Sequence, residues 1–295
     1  MASLGLNEMQ IRIEDDLDLK KIAESGQCFR WTGICPGTFQ IIARDKCLRI
    51  SALGDKLFDM DCSEEEYASF WFDYLDLGER YEVIRRRISR EKDEFLYCAA
   101  EYEKGIRILN QDPWEMLITF IISQNKNIPA IRRTVEKLAE MYGMEITNGA
   151  GEKYYAFPTP DALAELREEQ LKTCGLGYRC RYVKEAAEAV ADGRLDLLSL
   201  KGNDEETSVL TLTGLTGVGK KVASCVLLFG LHHLDSFPID VWVKRILEEQ
   251  YPKGYPFEEY SPYNGVYQQY MFAYYRNSRL FSKAQQAAEC KQNIE

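Results

Sequence analysis

The residue types best suited to chemistry fall in the last third of the chain. Residues 214–221 read Gly-Leu-Thr-Gly-Val-Gly-Lys-Lys, and Asp240 follows within Pro238-Ile239-Asp240-Val241. A lysine amine must be neutral to act as a nucleophile. Placement in the first turn of a helix, next to a second lysine, disfavours its positive charge. Such an amine can attack an electrophilic carbon and pass through a Schiff base. Lys221 and Cys225 stand four residues apart and share a helix face, as do Gln268 and Phe272, whereas Lys220 points away. Asp240 can cap a helix and still present a carboxylate to a reacting centre. The two histidines, His232 and His233, are adjacent in an apolar segment, so catalysis by a Ser-His-Asp or Cys-His arrangement is not expected. The nine cysteines contain no C-x-x-C pair, so they read as reduced core thiols in an intracellular protein.

Three readings compete for the glycine-rich segment. Gly214-x4-Gly219-Lys220 fits the first seven positions of a nucleotide-binding P-loop, but Lys221 stands where Ser or Thr would hold Mg²⁺. A plain interhelical turn would use the glycines for positive φ, yet leaves the two lysines and Asp240 unexplained. A helix-hairpin-helix would expose backbone N–H groups at a helix N-terminus, which suits a DNA phosphate.

The elements that must position these residues fall into two textures, giving an α+β fold class. Residues 39–44 and 46–50 are short β-type runs separated by Asp45, and residues 26–31 read as another strand entered through Gly26. Ser63 with Glu66 forms a capping box before Tyr67-Ala68-Ser69-Phe70-Trp71. Residues 1–105 are thus expected to be an antiparallel sheet domain with helices. Residues 106–295 are expected to be helical. Asp112-Pro113-Trp114-Glu115 is a helix start, interrupted after Ile122 by Ser123-Gln124-Asn125-Lys126-Asn127 and resumed over 128–142. Further helices are expected from Thr159-Pro160 to near Gly175, over 178–192, on both sides of the hairpin (about 207–230), after Asp240, and over about 262–281. The longest apolar stretch, 222–231, is too short to span a membrane, and no secretion signal is apparent in residues 1–16.

Six segments in order make the reading specific. Gly26-Gln27-Cys28-Phe29-Arg30-Trp31, Gln111-Asp112-Pro113 with 123–127, Gly175-Leu176-Gly177-Tyr178-Arg179-Cys180, Leu215-Thr216-Gly217-Val218-Gly219 with Lys221-Val222-Ala223, Pro238-Ile239-Asp240, and Gln268 to Phe272 span nearly the whole chain. Together they resemble the 8-oxoguanine DNA glycosylase/AP lyase family of the helix-hairpin-helix glycosylases. The resemblance implies helical domains flanking an active-site cleft, completed by the C-terminal helix. It implies a bifunctional DNA-repair enzyme that flips 8-oxoguanine out of duplex DNA, releases it, and nicks the strand by β-elimination. Lys221 would be the nucleophile and Asp240 the catalytic acid residue. Gly26, Cys225, Gln268, Phe272 and Trp242 would form the base pocket. Asn125, Tyr178, Arg179, Gly217, Gly219 and Lys220 would contact DNA. The backbone carbonyls of Thr213, Leu215 and Val218 match a structural cation site. No iron–sulfur cluster is expected, since only Cys290 lies past Cys225, and the chemistry needs no cofactor. The partner would be damaged double-stranded DNA bound by a monomer, in the cytoplasm at the nucleoid. A non-catalytic helix-hairpin-helix module and a glycosylase for other damaged bases are the alternatives; the presence of both Lys221 and Asp240 argues against the first.

This chain departs from the family pattern in four places. Thr216 replaces a proline of the hairpin. Trp242 stands where animal and yeast members carry histidine, Ala130 replaces an arginine that helps them demand cytosine opposite the lesion, and Tyr275 replaces an aspartate supporting that histidine. These point to the bacterial branch and to weaker opposite-base selectivity.

The net charge of −10 seems to oppose a DNA partner. It is unevenly spread. Residues 123–133 carry Lys126, Arg132 and Arg133 with no acid, and residues 172–184 carry Lys172, Arg179, Arg181 and Lys184 with no acid. The charge therefore excludes only a protein that coats DNA through bulk attraction.

Overall fold

The structure, a computed structural model, describes residues 8–148 and 151–292, with side chains up to residue 278. The side chain of Cys290 lies outside the described ones. The N-terminal part is an antiparallel sheet of β1 (Glu8–Arg12), β2 (Trp31–Cys35), β3 (Thr38–Ala43), β4 (Lys46–Gly54) and β5 (Leu57–Asp61), in the spatial order β1-β5-β4-β3-β2. Residues of alternate parity point to one face, so Ile41 pairs with Leu48 and Ile50 with Met60 on the buried side. That face packs with Ile22, Trp71 and Leu75 into one apolar cluster. A larger cluster fills the helical part and includes Tyr81, Ile84, Leu96 and Ala99 from helices Tyr81–Arg86 and Glu94–Tyr102.

Helix starts follow their caps. Asp112 Oδ1 accepts from Glu115 N at 3.0 Å and opens the helix Pro113–Ser123. Asn127 Oδ1 accepts from Ala130 N at 2.9 Å and opens Ile128–Tyr142. Four expectations need correction. Residues 26–30 are a loop, and the strand begins only at Trp31, because Gly26 takes a left-handed φ of +85°. Glu66 does not close a capping box: its carboxylate accepts from Trp71 Nε1 at 2.7 Å, while Ser63 alone caps the helix. The expected helix to Gly175 is two, Pro160–Ala164 and Glu168–Lys172. The last helix runs further, from Asn264 to Gln292.

Arg107 and Glu115 are the most consequential buried charges. Arg107 is fully buried, donating to Asp15 Oδ2 at 2.9 Å and to the Asp16 and Asp76 carbonyls, with its guanidinium 4.3 Å from the Tyr81 ring centre. It joins the chain's start to the segment before the helical core. Glu115 lines a cavity of about 250 Å³ together with Arg30, Asp73, Tyr74 and Gln111. Burial pushes its carboxyl up from 4.5 to about 7, against the pull of Arg30. The folded protein therefore keeps this proton to about pH 7, while the unfolded chain releases it near 4.5. The stability linked to the neutral form is complete below pH 4.5 and is lost as the pH rises towards 7. Glu115→Gln does not titrate, so it should gain on the wild type across that window, by roughly 3 kcal/mol. Urea melts of both proteins at pH 5 and pH 8 measure this, and a pH-independent difference would contradict it.

Candidate active site

The hairpin joins helices Glu205–Thr213 and Lys220–Phe229. Gly217 turns the chain with φ +80°, and a Cβ there would lie 2.3 Å from the Tyr182 ring, so no larger residue fits. Gly219 takes the N-cap position with no side chain, leaving the first N–H groups of the second helix open to an anion. Lys220 is exposed at that end. Thr213, Leu215 and Val218 lie along the same turn, where the Leu215 carbonyl accepts from Val218 N at 3.1 Å.

Lys221 faces the other way. It is half-buried, with Nζ 5.2 Å from the Phe120 ring centre. Cys225, one turn on, is buried; burial pushes its thiol up, while the hydrogen-bonded Lys221 pulls it down and Asp240 pushes it up again. The Cys225 thiol therefore lies within the influence of both Lys221 and Asp240. Asp240 caps helix Val241–Gln250: its Oδ1 accepts from Trp242 N at 2.9 Å and Val243 N at 2.8 Å. One carboxylate oxygen thus serves both main-chain donors of the helix start.

The C-terminal helix supplies the platform. Gln268 is buried; its Nε2 donates to the Pro238 carbonyl at 3.3 Å, and its Oε1 is buried without a partner. Phe272 is half-buried, and its ring edge lies 3.5 Å from the position a Cβ on Gly26 would take. Gly26 and Phe272 thus close on one space. Trp242 stacks edge-on with Tyr275 at 6.3 Å, an aromatic pair at the positions where the family resemblance places histidine and aspartate.

Several positioning residues were not singled out from the sequence. Gln27 is fully buried, donates to the Arg107 carbonyl at 2.8 Å and accepts from Leu109 N at 2.9 Å. Gln111 Nε2 donates to the Gln27 carbonyl at 3.0 Å, and Gln269 Nε2 to the Ser25 carbonyl at 2.7 Å. These three amides clasp the Gly26 loop from both sides. Their signal was present as glutamines inside the matching segments, but the partners are up to 244 residues apart.

The remaining segments meet at a second edge. Asn125 is exposed with φ +51°, and its Nδ2 lies 3.4 Å from the Tyr178 hydroxyl. Tyr178 is 56% exposed, stacked by the Arg179 guanidinium at 4.3 Å. Arg179 itself is buried and donates to the Gln124 and Leu176 carbonyls. Gln124 Nε2 donates to the Gly217 carbonyl at 3.0 Å, tying this loop to the hairpin. Lys126 donates to the Gly175 carbonyl at 2.7 Å and Arg132 to the Ala23 carbonyl at 2.6 Å, so part of the basic surplus knits loops together. Lys172, Lys220, Lys244 and Arg245 remain exposed. His232 Nε2 lies 3.1 Å from Asp76 Oδ2 and His233 Nε2 3.3 Å from the Lys201 carbonyl, outside this constellation. Among the described residues, no group of three or more His, Cys, Asp or Glu could hold a metal ion, and no helix is long and apolar enough to cross a membrane.

A lysine behind a glycine-rich hairpin, with an aspartate capping a later helix, defines a helix-hairpin-helix base-excision class of protein. Residues 118–253 match the HhH-GPD superfamily base excision DNA repair protein family, and residues 10–117 match the 8-oxoguanine DNA glycosylase N-terminal domain. The solved structure of MBOgg1 with a low-affinity DNA ligand superimposes with a TM-score of 0.86 at 37% identity, over 92% of this chain and 96% of that one. The Clostridium acetobutylicum 8-oxoguanine glycosylase/lyase, solved with double-stranded DNA containing cytosine opposite 8-oxoG, gives 0.84 at 32% identity, over 92% and 98%. The Saccharomyces cerevisiae N-glycosylase/DNA lyase is 38% identical over 159 residues, which is 50% of this chain but only 42% of the yeast protein. The chain belongs to the 8-oxoguanine DNA glycosylase family.

Proposed function

We propose that this protein excises 8-oxoguanine from duplex DNA and then nicks the strand at the resulting site. The observation that carries the reading is the close approach of the Phe272 ring to Gly26, with Gln268 one turn away on the same helix face and the Cys225 thiol within the influence of both Lys221 and Asp240. A flipped base would stack on Phe272 and meet Gln268 with its Watson–Crick edge. The Gly26 carbonyl would accept the N7–H that 8-oxoguanine has and guanine lacks; with guanine, two acceptors would face each other.

Lys221 Nζ attacks C1′ as the C1′–N9 bond breaks. Asp240 stabilises the positive charge developing on the sugar. One proton of the newly bonded amine passes to N9 of the departing base, and opening of the C1′–O4′ bond, with O4′ taking a proton from water, leaves a protonated Schiff base between Nζ and C1′. Loss of a C2′ proton expels the 3′ phosphate, which is β-elimination. Asn125 and Tyr178 fill the space vacated by the base and meet the orphaned partner, while Arg179, tied to the Gln124 and Leu176 carbonyls, braces the Tyr178 ring from behind instead of reaching DNA. The hairpin N–H groups and Lys220 hold phosphate. The Leu215 carbonyl keeps a second lone pair beyond its bond to Val218 N, so it fits the cation site implied by the family, with the Thr213 and Val218 carbonyls beside it. The protein would work as a monomer at the nucleoid.

The test is cleavage of duplexes carrying 8-oxoguanine opposite each of the four bases. Nicking of the cytosine duplex is expected, with comparable activity on the others because Ala130 offers no guanidinium to select cytosine. Nicking of abasic DNA alone, with 8-oxoguanine left in place opposite every base, would sink the substrate assignment.

A further inference from the structure

Gln268, Phe272 and Arg276 recur every four residues along the C-terminal helix and therefore share one face. Among the described residues, Gln268 Oε1 at one end is buried without a partner, and so is Arg276 Nη1 at the other. The Gln268 orientation follows from the bond of its Nε2 to the Pro238 carbonyl, which leaves Oε1, an acceptor, facing inward. Arg276 can only donate. Phe272 stands between the two along that face, its ring 5.3 Å from the guanidinium centre. Arg276 is held in place by Nη2, which donates to the Glu24 carbonyl. Its Nη1 lies 3.7 Å from the position of a Cβ on Gly26, so it borders the same space as that backbone. Burial draws its basicity below that of an ordinary arginine, against Glu103 and Glu24.

An unpaired acceptor and an unpaired donor at opposite ends of an aromatic platform fit a flat ligand with a donor at one end and an acceptor at the other. In 8-oxoguanine, N1–H and the 2-amino group lie at the six-membered end, and O8 projects from the five-membered end beside N7. We propose that Arg276 is a further specificity-determining residue, donating from Nη1 to O8 of the flipped lesion while Gln268 Oε1 accepts from the Watson–Crick edge. This contact rests on the base-excision function proposed above. Gly26 reads the proton that oxidation adds at N7, and Arg276 reads the oxygen it adds at C8. Guanine offers C8–H to the guanidinium and leaves the donor unpaired, so the two contacts reject it independently.

The experiment compares single-turnover release of 8-oxoguanine opposite cytosine with nicking of the same duplex carrying an abasic site. Abasic DNA reports on Lys221 and Asp240 with no base in the pocket. Arg276→Met is expected to slow base release about 10–100-fold more than abasic nicking, the range of one lost charge-assisted hydrogen bond. Arg276→Lys, which keeps a cation against Phe272 but has no second arm beyond the one that reaches Glu24, should show the same differential and covers a methionine variant that fails to fold. Equal losses on both duplexes, the mark of a merely structural side chain, would overturn the assignment, as would unchanged base release. A wild-type protein that nicks abasic DNA but never releases 8-oxoguanine would defeat the base-excision reading itself, and the O8 contact with it.

Discussion

Lys221→Gln is expected to abolish borohydride trapping of a covalent enzyme–DNA adduct. It should also lower base release by about 10⁴-fold or more, the scale on which removal of a covalent nucleophile acts. The amide cannot form the Schiff base that borohydride reduces. It does match the length of the first three carbons of the lysine stem, so only the Nζ contact with the Phe120 ring is lost and the fold should persist. Lys220→Gln is the contrasting variant. Lys220 is exposed beside the hairpin N–H groups, so its loss is expected to remove the proposed phosphate contact and weaken DNA binding while trapping persists. Efficient trapping by Lys221→Gln would show that another amine is the nucleophile.

Asp240→Asn should lower base release about 10²–10³-fold while leaving stability within a few tenths of a kcal/mol. The two effects separate because the cap needs only an acceptor oxygen, whereas the proposed catalysis needs the charge. Oδ1 receives Trp242 N and Val243 N, and an asparagine Oδ1 can receive both. The negative charge is lost, and with it the stabilisation of the cationic sugar. Asp240→Ala removes cap and charge together and should add about 1 kcal/mol of destabilisation to the same catalytic loss. Single-turnover kinetics and thermal melts of the two variants measure both. An Asn variant with wild-type kinetics would leave Asp240 as a cap only.

The parts of the site legible in the sequence are those governed by short-range chemistry. Asp112, Asn127 and Asp240 each cap a helix through a main-chain N–H two or three residues on, so their positions follow from local pattern. The Gly217 turn is legible for the same reason, since a positive φ marks glycine. Spacing of four placed Lys221 with Cys225 and Gln268 with Phe272. What misled was the segment 26–31, whose apolar Phe29 and Trp31 alternate like a strand. Its conformation is set by Arg107, Gln111 and Gln269 from elsewhere in the chain, and no local rule reports partners 80 or more residues away. Arg276 escaped notice because a single arginine on a helix is ordinarily solvated; only the fold brings it to Gly26 and Phe272. The basic segments were read as a DNA face, yet Lys126, Arg132 and Arg179 turn to backbone carbonyls, a choice that depends on loops packing together.

The amide clasp around Gly26 has a consequence for how the protein behaves across pH. Gln27, Gln111 and Gln269 are buried, and none of them can gain or lose a proton. The loop bearing the Gly26 carbonyl therefore keeps its shape while carboxylates and amines elsewhere titrate. A change of acidity therefore leaves unchanged which base the proposed pocket prefers.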